Sequence, residues 1–197
     1  LAALGNLQQA EQELDRWMKD HSPQADVLLA RGELKLRRGD AAGAIEDLRA
    51  SIAGAGPQWP LTSKLAAGIM LGDAMLSTGK LADAKTHLAA VEKEYPGAVG
   101  TQLLMARVSI LEGRTGDAVD ALQKIAESIP DNARVQYLLV DALVRSGNTA
   151  RATELLARRI QSVPEDMLAR RLLARLMLEQ SRPDQVVKVL KDSVDAA

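Results

Sequence analysis

One spacing constrains this 197-residue chain more than any other. A small, turn-forming residue returns at Gly5, Gly39, Gly79, Gly113, Gly147 and Ser181, in steps of 34, 40, 34, 34 and 34 residues. Five residues after each stand Ala10, Ala44, Ala84, Ala118, Ala152 and Val186; nine residues after each stands Leu, at 14, 48, 88, 122, 156 and 190. Positions four apart share one face of a helix, so a helix with a small and a large apolar residue on its inner side follows every turn. A period of this length marks an array of short helical hairpins, none of which buries its apolar face alone. Gly suits the turn because a helix commonly ends on a residue in the left-handed conformation.

The helix before each turn answers with Gly32, Gly72, Ala106, Val140 and Ala174, preceded by Leu71, Met105, Leu139 and Leu173, with Arg31 the exception. Small residues facing small ones would let the two helices cross closely. Seventeen residues after three of the turns come Pro96, Pro130 and Pro164. Each stops a second helix, and Asp131-Asn132 and Glu165-Asp166 then offer caps to the next. The step of 40 marks six extra residues, which fall within the stretch 54–60, Gly-Ala-Gly-Pro-Gln-Trp-Pro. That composition predicts a loop or an irregular helix extension, with Trp59 either plugging the gap or exposed as a contact.

These residues resemble the tetratricopeptide repeat (TPR), a helix-turn-helix unit with small residues at fixed offsets and a closing Pro. The resemblance spans nearly the whole chain. It implies an all-α, right-handed TPR solenoid of stacked antiparallel helix pairs, one array over 1–197 with a partial repeat at 1–22, turning at Gly5-Asn6. Full repeats fall at 25–56, 65–98, 99–132, 133–166 and 167–194; the first is degenerate at Arg31 and Lys35, and the last carries Ser181 and Val186 in place of Gly and Ala. The Ala-, Leu- and Arg-rich style is similar to long bacterial TPR proteins of exopolysaccharide export and PEP-CTERM systems. The segment then reads as a fragment of a longer bacterial protein, with the periplasm favoured over the cytoplasm.

Several function classes are disfavoured. Lys and Arg number 25 against 26 Asp and Glu, and Phe is absent beside two Trp and two Tyr. A nucleic-acid binder needs a basic face or stacking aromatics, so no nucleic acid is expected. No apolar run approaches the roughly 20 residues of a membrane span. Cysteine is absent, and neither His21 nor His87 has neighbours suggesting a metal site. No phosphate loop, nucleophile elbow or carboxylate pair appears. The expectation is a chain that is no enzyme and takes no cofactor or metal.

Solenoids of this kind recognise partners on a concave surface, which the resemblance places on the first helix of each pair. It implies a partner-binding groove of Ile69, Met70, Asp73, Leu76 and Ser77; Leu103, Leu104, Arg107, Ile110 and Leu111; Tyr137, Leu138, Asp141, Val144 and Arg145; and Arg171, Leu172, Arg175, Leu178 and Glu179. One charge per repeat alternates in sign along it: Glu33, Asp73, Arg107, Asp141, Arg175. Three occupants stand open. The apolar members pack the first helices on one another while the charges pair; or the groove takes a helix or extended segment of a protein partner; or a terminal helix fills it. Under the second, Leu104→Glu or Leu138→Glu abolishes capture and leaves melting unchanged. A carboxylate clamp of Lys and Asn is not matched, since Leu29, Ile69 and Leu103 and Glu33, Asp73 and Arg107 hold those places.

The expected function is a non-catalytic protein–protein interaction scaffold or adaptor. The rival is an accessory positioning domain of an envelope secretion or polysaccharide-export machine, or of a fused enzyme. Arg151, Arg158, Arg159, Arg170, Arg171 and Arg175 crowd the last part of the chain, as a solubilising face or as a site for an acidic partner. The apolar ends, Leu1–Leu4 and Val186, Val187, Val189 and Leu190, suggest end-to-end self-association.

Overall fold

The computed structural model describes residues 2–21, 24–180 and 186. The described residues form ten helices: α1 (Ala2–Asp20), α2 (Ala25–Arg37), α3 (Ala41–Ala53), α4 (Leu61–Ser77), α5 (Leu81–Glu94), α6 (Val99–Leu111), α7 (Thr115–Ser128), α8 (Ala133–Arg145), α9 (Thr149–Ser162) and α10 (Met167–Glu179). The chain is all-α, and within each compact unit sequential helices pack antiparallel. It divides into two compact units, Leu1–Leu111 and Glu112–Ala197. In the first, each of α1 to α6 packs on the next; in the second, α7 to α10 do the same.

The register residues explain the hairpins. Gly39, Gly79, Gly113 and Gly147 have φ of 86°, 75°, 78° and 81°, a conformation that strains any residue carrying a Cβ. Behind them Ala44, Ala84, Ala118 and Ala152 are fully buried, as are Leu48, Leu88, Leu122 and Leu156. Second helices stop at Glu94, Ser128 and Ser162, just ahead of the three prolines. Asn132 then caps α8 by accepting from the Val135 N–H at 3.2 Å, and Asp166 caps α10 through the Ala169 N–H at 3.0 Å.

Three expectations change. Helix α1 runs straight through Gly5 and Asn6, so no turn divides it. A lone Gly inside a helix costs only about 1 kcal/mol, and the apolar stripe of Leu7, Leu14 and Trp17 carries the helix past it. Ala10 is accordingly exposed there. Secondly, the small residue of the first helix faces the large one of the second. A Cβ on Gly72 would lie 2.5 Å from Leu88 Cδ2 and 2.9 Å from its Cγ, and one on Gly32 would lie 2.9 Å from Leu48 Cγ. Gly72→Ala therefore gains about 1 kcal/mol of helix propensity but overpacks a fully buried Leu at about 1–3 kcal/mol. The expected outcome is net destabilisation in a urea titration; a stabilised variant would mean that Leu88 moves aside freely.

The third change explains the degenerate first repeat. Arg31 stands where the other full repeats carry Leu or Met, and Lys35 where they carry Met, Ser or Leu, because both serve Asp47, whose side chain is 5 % exposed. Arg31 donates from Nε to Asp47 Oδ2 at 2.8 Å and from Nη2 to Oδ1 at 2.5 Å, while Lys35 Nζ lies 2.8 Å from Oδ2. Arg31 also reaches Asp15 at 2.7 Å, tying α1 to α2 and α3. Its pKa is raised, first by the Asp47 hydrogen bond, against an opposing push from burial.

The inserted residues connect α3 to α4, and α4 is longer than the other first helices, 17 residues against 13 in α2 and α6. Trp59 is 8 % exposed, and its indole N–H donates to Asp26 at 2.5 Å, so it plugs the link against the start of α2. Ser181, Val187, Val189 and Leu190 lie outside the described residues, as does Leu1; Val186 is buried.

Candidate functional site

The expected groove separates into two very different parts. In the first unit most of it is core. Leu76, Leu103, Leu104 and Ile110 are 6, 5, 1 and 4 % exposed, and Leu76 and Leu104 belong to one apolar cluster with Leu71, Met75, Leu88 and Val108. Ile69 and Met70 are half-buried and pack against that cluster. The reason is geometric. Helix α6 buries Leu104 and Val108 on one flank and Leu103, Ala106 and Ile110 on the other, which leaves a strip about one residue per turn wide. That strip holds Arg107 and the exposed Leu111. Arg107 donates to Asp73, one repeat earlier, at 2.7 Å, so these charges pair across neighbouring first helices. They do not stand free for a ligand.

The second unit keeps an opening. A pocket of about 400 Å³ lies between α8 and α10, lined by Tyr137, Val140, Asp141, Val144, Arg145, Leu172, Arg175, Leu176 and Glu179. Seven of these are expected groove residues: Tyr137, Asp141, Val144, Arg145, Leu172, Arg175 and Glu179. Half-buried Leu138 and exposed Arg171 do not line it. Asp141 pairs with Arg145 at 2.8 Å and Arg175 with Glu179 at 3.0 Å, each within its own helix. The rim thus carries two charge pairs over an apolar floor of Val140, Val144, Leu172 and Leu176. Spacing alone places Val140 with the packing residues and gives Leu176 no role, because a floor residue and a core residue share the same apolar stripe.

A register comparison explains why the pocket opens here. In the first unit α4 packs directly on α6, with Gly100 against Ile69; a Cβ on Gly100 would lie 2.7 Å from Ile69 Cδ1. In α8 and α10 the matching places hold Tyr137 and Leu168. No comparable approach joins α8 to α10 among the described residues. The exchange of Gly for Leu at that register is visible in the sequence and is the signal for the site.

One polar cluster braces the pocket wall. Tyr137 donates its hydroxyl to Asp166, Arg159 Nε lies 2.7 Å from the other Asp166 oxygen, and the guanidinium sits 5.6 Å above the Tyr137 ring. Burial pushes the Asp166 carboxyl up, but Tyr137, the Ala169 N–H and Arg159 together hold it below the ordinary value. A carboxyl lowered on folding stabilises the folded state above its unfolded pKa, about 3.9 for Asp. That contribution is lost as pH falls through the lower folded value. Asp166→Asn should therefore cost about 1–3 kcal/mol near neutrality and flatten the loss of stability between about pH 5 and 3. An unchanged acid slope in urea titrations would show that Asp166 titrates as an exposed group does.

The histidines are accounted for locally. His87 Nε2 lies 2.7 Å from the Gly68 carbonyl, and His21 stacks on Trp17 at 4.3 Å. Among the described residues no group of three His, Cys, Asp or Glu could hold a metal, and no helix is long and apolar enough to cross a membrane. Arg170 turns inward, 4 % exposed, and donates to the Pro164 carbonyl at 2.9 Å.

The comparisons with known proteins fit this architecture. Two family models, both described as tetratricopeptide repeat, match residues 1–60 and 69–133 in one case and 109–172 in the other. The chain belongs to the tetratricopeptide repeat family. Members of that family typically mediate protein–protein interaction and are generally non-catalytic. Among solved structures, the chain is similar to TTC0263, a thermophilic TPR protein of Thermus thermophilus, at 20% identity over 90% of this chain and 94% of that one, with a TM-score of 0.71. It is also similar to MamA from Desulfovibrio magneticus RS-1, at 17% identity over 87% and 93%, TM-score 0.66. A TPR protein from Parabacteroides merdae matches at 15% identity over 97% and 73%, TM-score 0.74. At such identities the likeness is one of fold alone. No curated protein matches the chain at a significant level. The expected link to PEP-CTERM systems finds no support in these matches.

Proposed function

We propose that this TPR chain is a non-catalytic scaffold that holds a helix or an extended segment of a partner protein, anchored in the pocket between α8 and α10. One observation carries the reading: this is the place on the expected groove where a pocket opens, with half-buried Val144 and Leu172 beneath a charged rim. Apolar anchors supply affinity, while the Asp141–Arg145 and Arg175–Glu179 pairs set register and exclude segments of the wrong charge. In the first unit the equivalent apolar residues are spent on packing.

A peptide-display selection against the purified chain tests this. Selected peptides should share one or two apolar anchors flanked by charges. Leu172→Glu, at a half-buried position, should weaken them about tenfold or more, the equivalent of about 1.4 kcal/mol, with little change in melting. Peptides that bind the variant as well as the parent would place recognition elsewhere.

A further inference from the structure

A second cleft, of about 760 Å³, opens on the other side of α8, between the second helices α7 and α9. Its two walls carry opposite charge. Arg151, Arg158 and Arg159 line the α9 side, and Glu127 and Asp131 line the end of α7 and the link after it. Arg159 is committed to Asp166. Arg151 faces the neutral amide of Gln123, whose oxygen, turned toward it, accepts at 2.7 Å. Arg158, Glu127 and Asp131 are exposed and form no ion pair among the described residues. Arg151 and Gln123 therefore bridge the two walls at one place, while Arg158 on one wall and Glu127 and Asp131 on the other leave the rest of the cleft open, above an apolar floor that includes Leu155 and Leu139.

We propose that this cleft is a docking site, distinct from the pocket between α8 and α10, for an extended peptide segment whose alternate side chains carry opposite charge. Successive side chains of an extended chain point to opposite sides. Such a segment lying along the cleft sends its carboxylates to α9 and its cations to Glu127 and Asp131. Arg151 and Arg158 are seven residues apart, two turns and about 10.5 Å along one side of α9. Carboxylates two or four residues apart in an extended chain, about 7 or 13 Å, bracket that spacing within the reach of an arginine. A wholly acidic segment matches one wall and is repelled by the other; a wholly basic one has the converse fault.

The test is fluorescence anisotropy with three labelled ten-residue peptides: one alternating Glu and Lys, one with five Glu followed by five Lys, and one all Glu. The alternating peptide should bind about fivefold or more tighter than either of the others. Arg158→Glu should weaken it about fivefold, the scale of one partly exposed charge pair, and raised salt should weaken it further. Val144→Glu, in the other pocket, should leave it unchanged. If Arg158→Glu lowers the melting temperature, Arg158→Gln gives the same comparison without a reversed charge. Equal binding of the block or all-Glu peptide, or an Arg158 variant that binds as the parent does, would overturn the proposal.

Discussion

Leu104→Glu is expected to unfold the first compact unit, and with it any activity that unit supports. Leu104 is 1 % exposed and lies in the cluster that joins α3, α4, α5 and α6. Truncation alone, Leu104→Ala, removes that packing and leaves a cavity, at about 2–5 kcal/mol. Glutamate adds a carboxyl with no partner in an apolar site, a further cost of several kcal/mol unless it stays protonated. Circular dichroism should show the variant largely unfolded at room temperature, or melting far below the parent. Parent-like melting would mean that Leu104 faces solvent as a groove residue. Leu138 differs: it is half-buried, so Leu138→Glu should be milder.

The second large effect is at Asp47. Asp47→Ala leaves the Arg31 and Lys35 side chains, 21 and 16 % exposed, without the carboxylate that neutralises them. Removing one partner of a buried ion group costs about 3–5 kcal/mol. The lower end is expected, since Arg31 keeps Asp15 and both stems reach the surface. Replacing all three together, Asp47→Leu with Arg31→Leu and Lys35→Met, should return most of that loss, because apolar packing substitutes for a buried ion network at little net cost. A loss under about 0.5 kcal/mol for the single variant would put the network in the class of surface pairs.

These two sites mark how far the sequence could be read. The turn glycines, the buried Ala and Leu of each second helix and the prolines are legible because each satisfies a local demand repeated at a fixed spacing. Asp47 is not, since its partners come from the preceding helix and the sequence shows Arg31 and Lys35 only as departures from a pattern. Leu104 and Val144 look alike for a related reason. Both are apolar residues on first helices, and what separates them is whether a neighbouring helix covers them. That depends on the approach of paired helices, set by single residues such as Gly100 and Leu168. The Arg-rich stretch likewise resolves only in three dimensions, into the buried Arg170, the pocket rim at Arg175 and the cleft wall at Arg151 and Arg158.

Anchoring of a partner segment in the pocket between α8 and α10 can be measured residue by residue. At 21.1 kDa the chain suits methyl-resolved nuclear magnetic resonance during a titration with a display-selected peptide. Shifts should concentrate at the methyls of Val140, Val144, Leu172 and Leu176, with those of Leu104 and Leu155 unmoved. Shifts confined to Leu155 and Leu139, or spread evenly over both compact units, would contradict anchoring in that pocket.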